Sequence, residues 1–151
     1  MTSAKKTLSL QELIISNSSS CLSGADAVYC GTCKRNTCQT SSHSYENTVF
    51  ILELIRVSAV RGTRKKNSSI VNIPLSGIAL PGCSISYRPV ATAHHLGLVD
   101  SGHWISRIML DGGHWIECDD LKARYAKITM TNNCMTSNSV VLVMLVPDSI
   151  A

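Results

Sequence analysis

DSGHWISRIMLDGGHWIECDDLK, residues 100–122, is the stretch on which the fold turns. Its apolar runs HWISRIML and HWIEC flank Asp111, Gly112 and Gly113, a composition suited to the positive φ angles of a tight β-hairpin turn. If Leu110 and His114 close a three-residue loop, residues whose numbers sum to 224 lie opposite one another, so that Ile105 faces Asp119 and His103 faces Leu121. Opposed residues share a face of the sheet, as do positions two apart on a strand. His103 and Asp119 are then diagonal neighbours, with backbones roughly 7–8 Å apart, within reach of an imidazole and a carboxylate. A two-residue loop reverses the parity and brings Asp120 to His103 instead. Either pairing makes a base and its orienter, because a carboxylate on one imidazole nitrogen fixes the tautomer and leaves the other nitrogen free to take a proton.

Outward from this hairpin the chain keeps a strand-like character. TVFILELIRV (48–57) and SIVNIPL (69–75) are β-branched and apolar and read together as a hairpin across the basic turn RGTRKK (61–66), with Pro74 and Pro81 ending the pairing. SISYRPVATAHHLG (84–97) alternates as a strand that Pro89 interrupts at an edge or bulge. SVVLVMLVP (139–147) is a buried strand by length and branching, although its period alone does not distinguish it from a buried helix. A short helix over LSLQELII (8–15) opens the chain, followed by SNSSS and by residues 21–47, rich in Cys, Ser, Thr and Gly. The fold class expected is α+β, mostly antiparallel β, with no internal repeat. The character of the chain changes at Thr48, which divides residues 1–47 from residues 48–151.

The 151 residues suffice for one domain burying roughly 70% of its unfolded surface. A formal charge of +4, with its one basic run read as a solvated turn, points away from a nucleic-acid partner. No signal-peptide pattern opens the chain, since Gln11 and Glu12 interrupt the apolar residues. The run Val140–Val146 is far too short to span a bilayer. The chain is therefore read as intracellular, cytoplasmic or nuclear, with no membrane partner. Seven cysteines, two of them in a Cys-x-x-Cys pair, then point to metal or idle thiols before disulfides.

GHWIS, a gap and WIECDDLK resemble the histidine box of the ubiquitin-specific proteases, a papain-like cysteine protease family. The resemblance puts His103 at the general base, Asp119, four residues after Trp115, at the third triad member, and Asp120 at the acidic residue that supports the site. AHHLGLVDSGH is similar to the family's approach to that box, and the strands around KKNSS to its palm pair. AVYCGTC resembles the second Cys-x-x-Cys of its zinc-bearing fingers, and SVVLVMLV its last palm strand. What this implies is the fingers and palm of the C-terminal half of such a domain, with residues 1–47 a finger-like remnant and residues 48–151 a palm-like sheet. The implied activity is thiol-dependent hydrolysis of peptide and isopeptide bonds at the ubiquitin C-terminus, with ubiquitin or a ubiquitinated protein as partner.

The sequence departs from the family at Trp104, where Tyr is usual, and at Val57, where an aromatic is usual. The Gly-x-x-Cys-x-x-Asn box of the nucleophile is not present in these 151 residues. An upstream lobe would have to supply the thiol. Cys118 adjoins Asp119, but consecutive strand residues point to opposite faces, so it looks away from His103. Cys21 lacks a convincing helix after it, and Cys83 and Cys134 read as half-buried thiols. No cofactor is required for the chemistry. The resemblance implies structural zinc on Cys30 and Cys33, but the family's other two ligands come from an upstream Cys pair not found in these residues. Cys21 and Cys38, or His43 for one of them, could substitute at irregular spacing, with idle thiols as the alternative. His94, His95 and His114 are read as structural or solvated. Three functions compete: a deubiquitinase domain inactive without the missing box, a non-catalytic remnant that binds ubiquitin or another protein, and a zinc-ribbon binding module.

Overall fold

The computed structural model describes residues 7–42, 49–122, 125–130 and 133–149. Ser9 ends strand β1 (Thr7–Ser9) and caps α1 (Leu10–Ser16), and its N–H donates to the Glu12 carboxylate at 3.4 Å, one arm of a capping box. The helix therefore begins two residues later than the apolar spacing from Leu8 predicts. Thr7–Ser9 instead pair in parallel with Ile70–Asn72, and Leu10 is buried in the core.

Residues 19–42 form two nested ribbons, β2 (Ser19–Leu22) on β5 (Gln39–Ser42) outside and β3 (Val28–Cys30) on β4 (Arg35–Thr37) inside. None of their described side chains is buried, and none contributes to the core. Beyond it come β6 (Phe50–Glu53), β7 (Val57–Val60), β8 (Thr63–Lys66), β9 (Ile70–Pro74) and β10 (Ile78–Ala79). The long strands β11 (Ser86–Gly97), β12 (Gly102–Leu110) and β13 (His114–Cys118) follow, then β14 (Ala126–Ile128), β15 (Cys134–Ser137) and β16 (Val140–Pro147).

Six of these form one antiparallel path, β14-β13-β12-β11-β16-β6, with β10 attached to β11. A three-stranded sheet, β1-β9-β15, packs on one face of it. Val71 and Ile73 from the small sheet meet Tyr87, Val143 and Leu145 from the large one, all essentially inaccessible to water. Burying each such aliphatic side chain stabilises the fold by about 1.5–3 kcal/mol. The architecture is mostly antiparallel β with one α-helix among the described residues.

The hairpin expected of residues 48–57 and 69–75 does not form. β6 and β9 do not pair with each other: β6 joins β16, and β9 joins β1 and β15. A hairpin lies between them instead, where Arg61 (φ 51°) and Gly62 (φ 79°) turn β7 directly onto β8, a left-handed two-residue turn that matches strand twist. The buried Arg56 fixes the divergence. Its Nε donates to the Val140 carbonyl at 2.9 Å and its Nη1 to the Ser69 carbonyl at 2.6 Å, tying the end of β6 to the starts of β16 and β9. Pro89 falls at a register shift between β11 and β16, so a central strand tolerates it.

The opposite face of the large sheet carries an apolar row, Ile51, Met144, Ala91, Ile108 and Ile116, set side by side by the registers of five strands. Ile51 is 66% exposed and Ile108 38%, while Met144, Ala91 and Ile116 are half-buried.

Candidate active site

Leu110 pairs with His114 and Ser106 with Cys118, the register of a three-residue turn at Asp111–Gly113. Gly112 and Gly113 take φ of 80° and 77° there, which an L side chain resists. Just past the last pair the chain leaves the sheet. The His103 Nε2 lies 2.7 Å from the Asp119 Oδ1 and 3.5 Å from the Asp120 Oδ1, so both carboxylates reach the imidazole. Their surroundings separate them, since Asp119 is 9% exposed, His103 29% and Asp120 84%.

Asp119 is held from several sides. The Leu121 N–H donates to its Oδ1 at 3.1 Å, and the Lys122 ammonium lies 3.0 Å from its Oδ2. The His103 hydrogen bond first, and Lys122 after it, lower its pKa to about 2. Asp119 is therefore an anion at neutral pH and only accepts hydrogen bonds. Neutral His103 must then carry its proton on Nε2, leaving Nδ1 as the basic nitrogen. Lys122 also reaches the Glu117 Oε1 at 3.3 Å, and Arg107 donates to the Glu117 Oε2 from Nε at 3.2 Å and Nη2 at 3.1 Å. This alternating chain, Asp119–Lys122–Glu117–Arg107, was not legible as a unit in the sequence, although Lys122 and Glu117 flank the aspartates at spacings that reach them.

Beside the carboxylates runs an open groove of about 820 Å³, lined by Trp104, Ser106, Cys118, Asp119, Asp120 and Tyr125 among others. Cys118 lies opposite Ser106 on the groove side of the hairpin, and His103 does not line that groove. Among the described residues no cysteine sulfur is hydrogen-bonded to His103.

The neighbouring histidines have structural partners. His94 is fully buried, with Thr92 Oγ1 2.8 Å from its Nε2 and Ser137 and Ser139 hydroxyls 3.1 and 3.2 Å from its Nδ1. Burial foremost, then the Arg107 charge, lowers its pKa to about 4, so it is neutral at pH 7. His95 packs against Trp104 with ring centroids 4.9 Å apart, and the Lys66 ammonium lies 3.0 Å from its Nδ1. His114 is exposed at the turn.

Cys30 and Cys33 bracket the turn between β3 and β4. The Cys33 N–H donates to the Cys30 sulfur at 3.4 Å, and Lys34 takes a left-handed φ of 55°. Backbone N–H groups of Cys33 and Thr32 lower the Cys30 pKa, as suits a thiolate ligand. A structural zinc wants four ligands, and among the described residues neither Cys21 nor Cys38 joins these two sulfurs in a metal-sized cluster. His43 lies outside the described residues. The residues present thus fit half of a zinc site.

The fold is similar to that of solved deubiquitinating-module structures. The yeast SAGA DUB module with a mutant Sgf73 matches at a TM-score of 0.72 and 21% identity over 96% of this chain. The Ubp8/Sgf11/Sus1/Sgf73 DUB module bound to ubiquitin aldehyde matches at 0.71 and 19% over 100%, and a Ubp8-variant module bound to monoubiquitin at 0.72 and 21% over 96%. This chain spans 35–36% of the matched chains. No protein-family model and no curated protein matches the sequence. Among the described residues no helix is long and apolar enough to cross a membrane.

Proposed function

We propose that this chain is the palm-like part of a ubiquitin-specific-protease-like domain, with a papain-like arrangement of base and orienter. The observation that carries the reading is the 2.7 Å contact of His103 Nε2 with Asp119, in a fold like that of the DUB modules. His103 is the general base, Asp119 orients it and Asp120 supports it. The Nδ1 of His103 takes the proton of a cysteine thiol supplied by another segment. The thiolate adds to the carbonyl at the ubiquitin C-terminus, the imidazolium protonates the departing lysine amine, and water hydrolyses the resulting thioester. Asp119, an anion throughout, stabilises the imidazolium between those steps.

The 151 residues contain no nucleophile box, so the chain alone is inactive and works inside the cell with a thiol-bearing lobe. The Cys30–Cys33 turn would bind zinc only with two further ligands. Reaction of the purified chain with ubiquitin carrying a thiol-reactive C-terminal warhead tests this reading. No adduct is expected from the chain alone, and one that depends on His103 is expected when a lobe bearing the Gly-x-x-Cys-x-x-Asn box is added. An adduct indifferent to His103→Ala sinks the assignment.

The partly exposed apolar row from Ile51 to Ile116 favours a second reading, a non-catalytic surface for ubiquitin or another protein. Chemical shifts of the outer-face methyls, followed during a ubiquitin titration, decide it; unchanged shifts at high ubiquitin rule it out. The zinc-ribbon module would have to account for the His103 site, which it does not.

A further inference from the structure

We propose that His103, Asp119 and Asp120 together form a binding site for a divalent transition-metal ion, zinc by the chemistry of the donors. The Nε2 of His103 and one oxygen from each carboxylate all lie within 4.8 Å of one another. One imidazole nitrogen with carboxylate oxygens suits zinc, which in open sites takes three protein ligands and a water.

The spacing can be tested against coordination geometry. Two ligands of a tetrahedral zinc, each at ~2.0–2.1 Å, lie about 3.4 Å apart. The Asp120 Oδ1 already stands at 3.5 Å from the His103 Nε2. The Asp119 Oδ1, at 2.7 Å, must recede by roughly 0.7 Å to the same tetrahedral spacing. Binding replaces the Nε2 proton, which goes to solvent, so the metal takes the place of the His103–Asp119 hydrogen bond.

Two further features favour occupancy. The Leu121 N–H donates to the Asp119 Oδ1 and the Lys122 ammonium lies against Oδ2, as outer partners contact carboxylate ligands in metal sites. Asp119 and Asp120 also line the open groove of about 820 Å³, which gives an ion its entry and a water its place. Lys122 opposes the ion by its charge, but Glu117 shares that ammonium at 3.3 Å.

The inference does not rest on the deubiquitinase reading. A metal on Nε2 takes the hydrogen bond through which Asp119 orients His103, so the two uses exclude each other. The test is a titration of the intact, reduced chain with zinc chloride, followed through the ring ¹⁵N resonances of His103. Saturable shifts of both ring nitrogens are expected, with Asp120→Asn weakening the site roughly tenfold or more. Asp120 is solvent-exposed, so that variant keeps the fold. If zinc perturbs only the Cys30–Cys33 turn while His103 stays unmoved, or if Asp120→Asn titrates like the wild type, the site does not exist. Neither readout involves ubiquitin, so the outcome stands apart from any activity result.

Discussion

Gly102 and His95 occupy adjoining space at the end of the β11–β12 pair: a Cβ on Gly102 would lie 2.4 Å from the His95 Nε2 and 2.2 Å from the Leu96 carbonyl oxygen. The glycine before His103 thus lets the two strands close while His95 remains packed against Trp104, its ring tilted at 44°. Gly102→Ala forces backbone as well as side chain to move, and overpacking of this kind costs about 1–3 kcal/mol. The expected result is a lower melting temperature together with displaced His103 resonances. A variant with wild-type stability and an unchanged His103 spectrum would count against the close approach.

The two aspartates should separate in their effect on the His103 tautomer. Asp119→Ala removes the acceptor that fixes the proton on Nε2 and should yield a mixture of tautomers. Asp120→Ala, which removes an exposed and more distant group, should leave the Nε2–H form dominant. Ring ¹⁵N shifts at a pH where the imidazole is neutral report this directly, and a reversed pattern would make Asp120 the orienter.

Stability should fall on acidification because of His94. Its pKa is near 4 in the fold against 6.5 for an ordinary histidine, so between these values the unfolded chain binds more protons. Stability from this group is complete above about pH 6.5 and is lost as the pH drops to about 4, by on the order of 3 kcal/mol. Arg107 and Arg56 disfavour the charged ring and Glu117 favours it. Urea unfolding from pH 7 to pH 4 should show the slope, and His94→Gln should flatten it. The Asp119 contribution lies in a separate window, lost as the pH falls from about 4 towards 2.

Arg56→Ala should be among the most damaging substitutions. It strands the Val140 and Ser69 carbonyls, and hydrogen bonds from a charged donor are worth about 1.5–3 kcal/mol each. Arg56→Lys should recover only part of the loss, because an ammonium cannot reproduce the guanidinium fork. Equilibrium unfolding of both variants checks the order, wild type above Lys above Ala.

Local chemistry was readable wherever a few adjacent residues decide the outcome. Asp111–Gly113 specify a turn, the turn specifies the register of β12 on β13, and that register puts His103 within reach of Asp119. Pro89 announces a bulge, and the branched run 140–147 a buried strand. Tertiary structure alone decided the partners of β6 and β9, since both are apolar enough to pair with either neighbour and the choice rests on core burial and on Arg56. It also decided the place of Thr7–Ser9, whose strand exists only because β9 offers a free edge. The rank of the two aspartates came from the fold as well: turn length sets the parity, but their different burial and the Lys122 contact arise from how the chain leaves the sheet after Cys118, which no period in the sequence encodes.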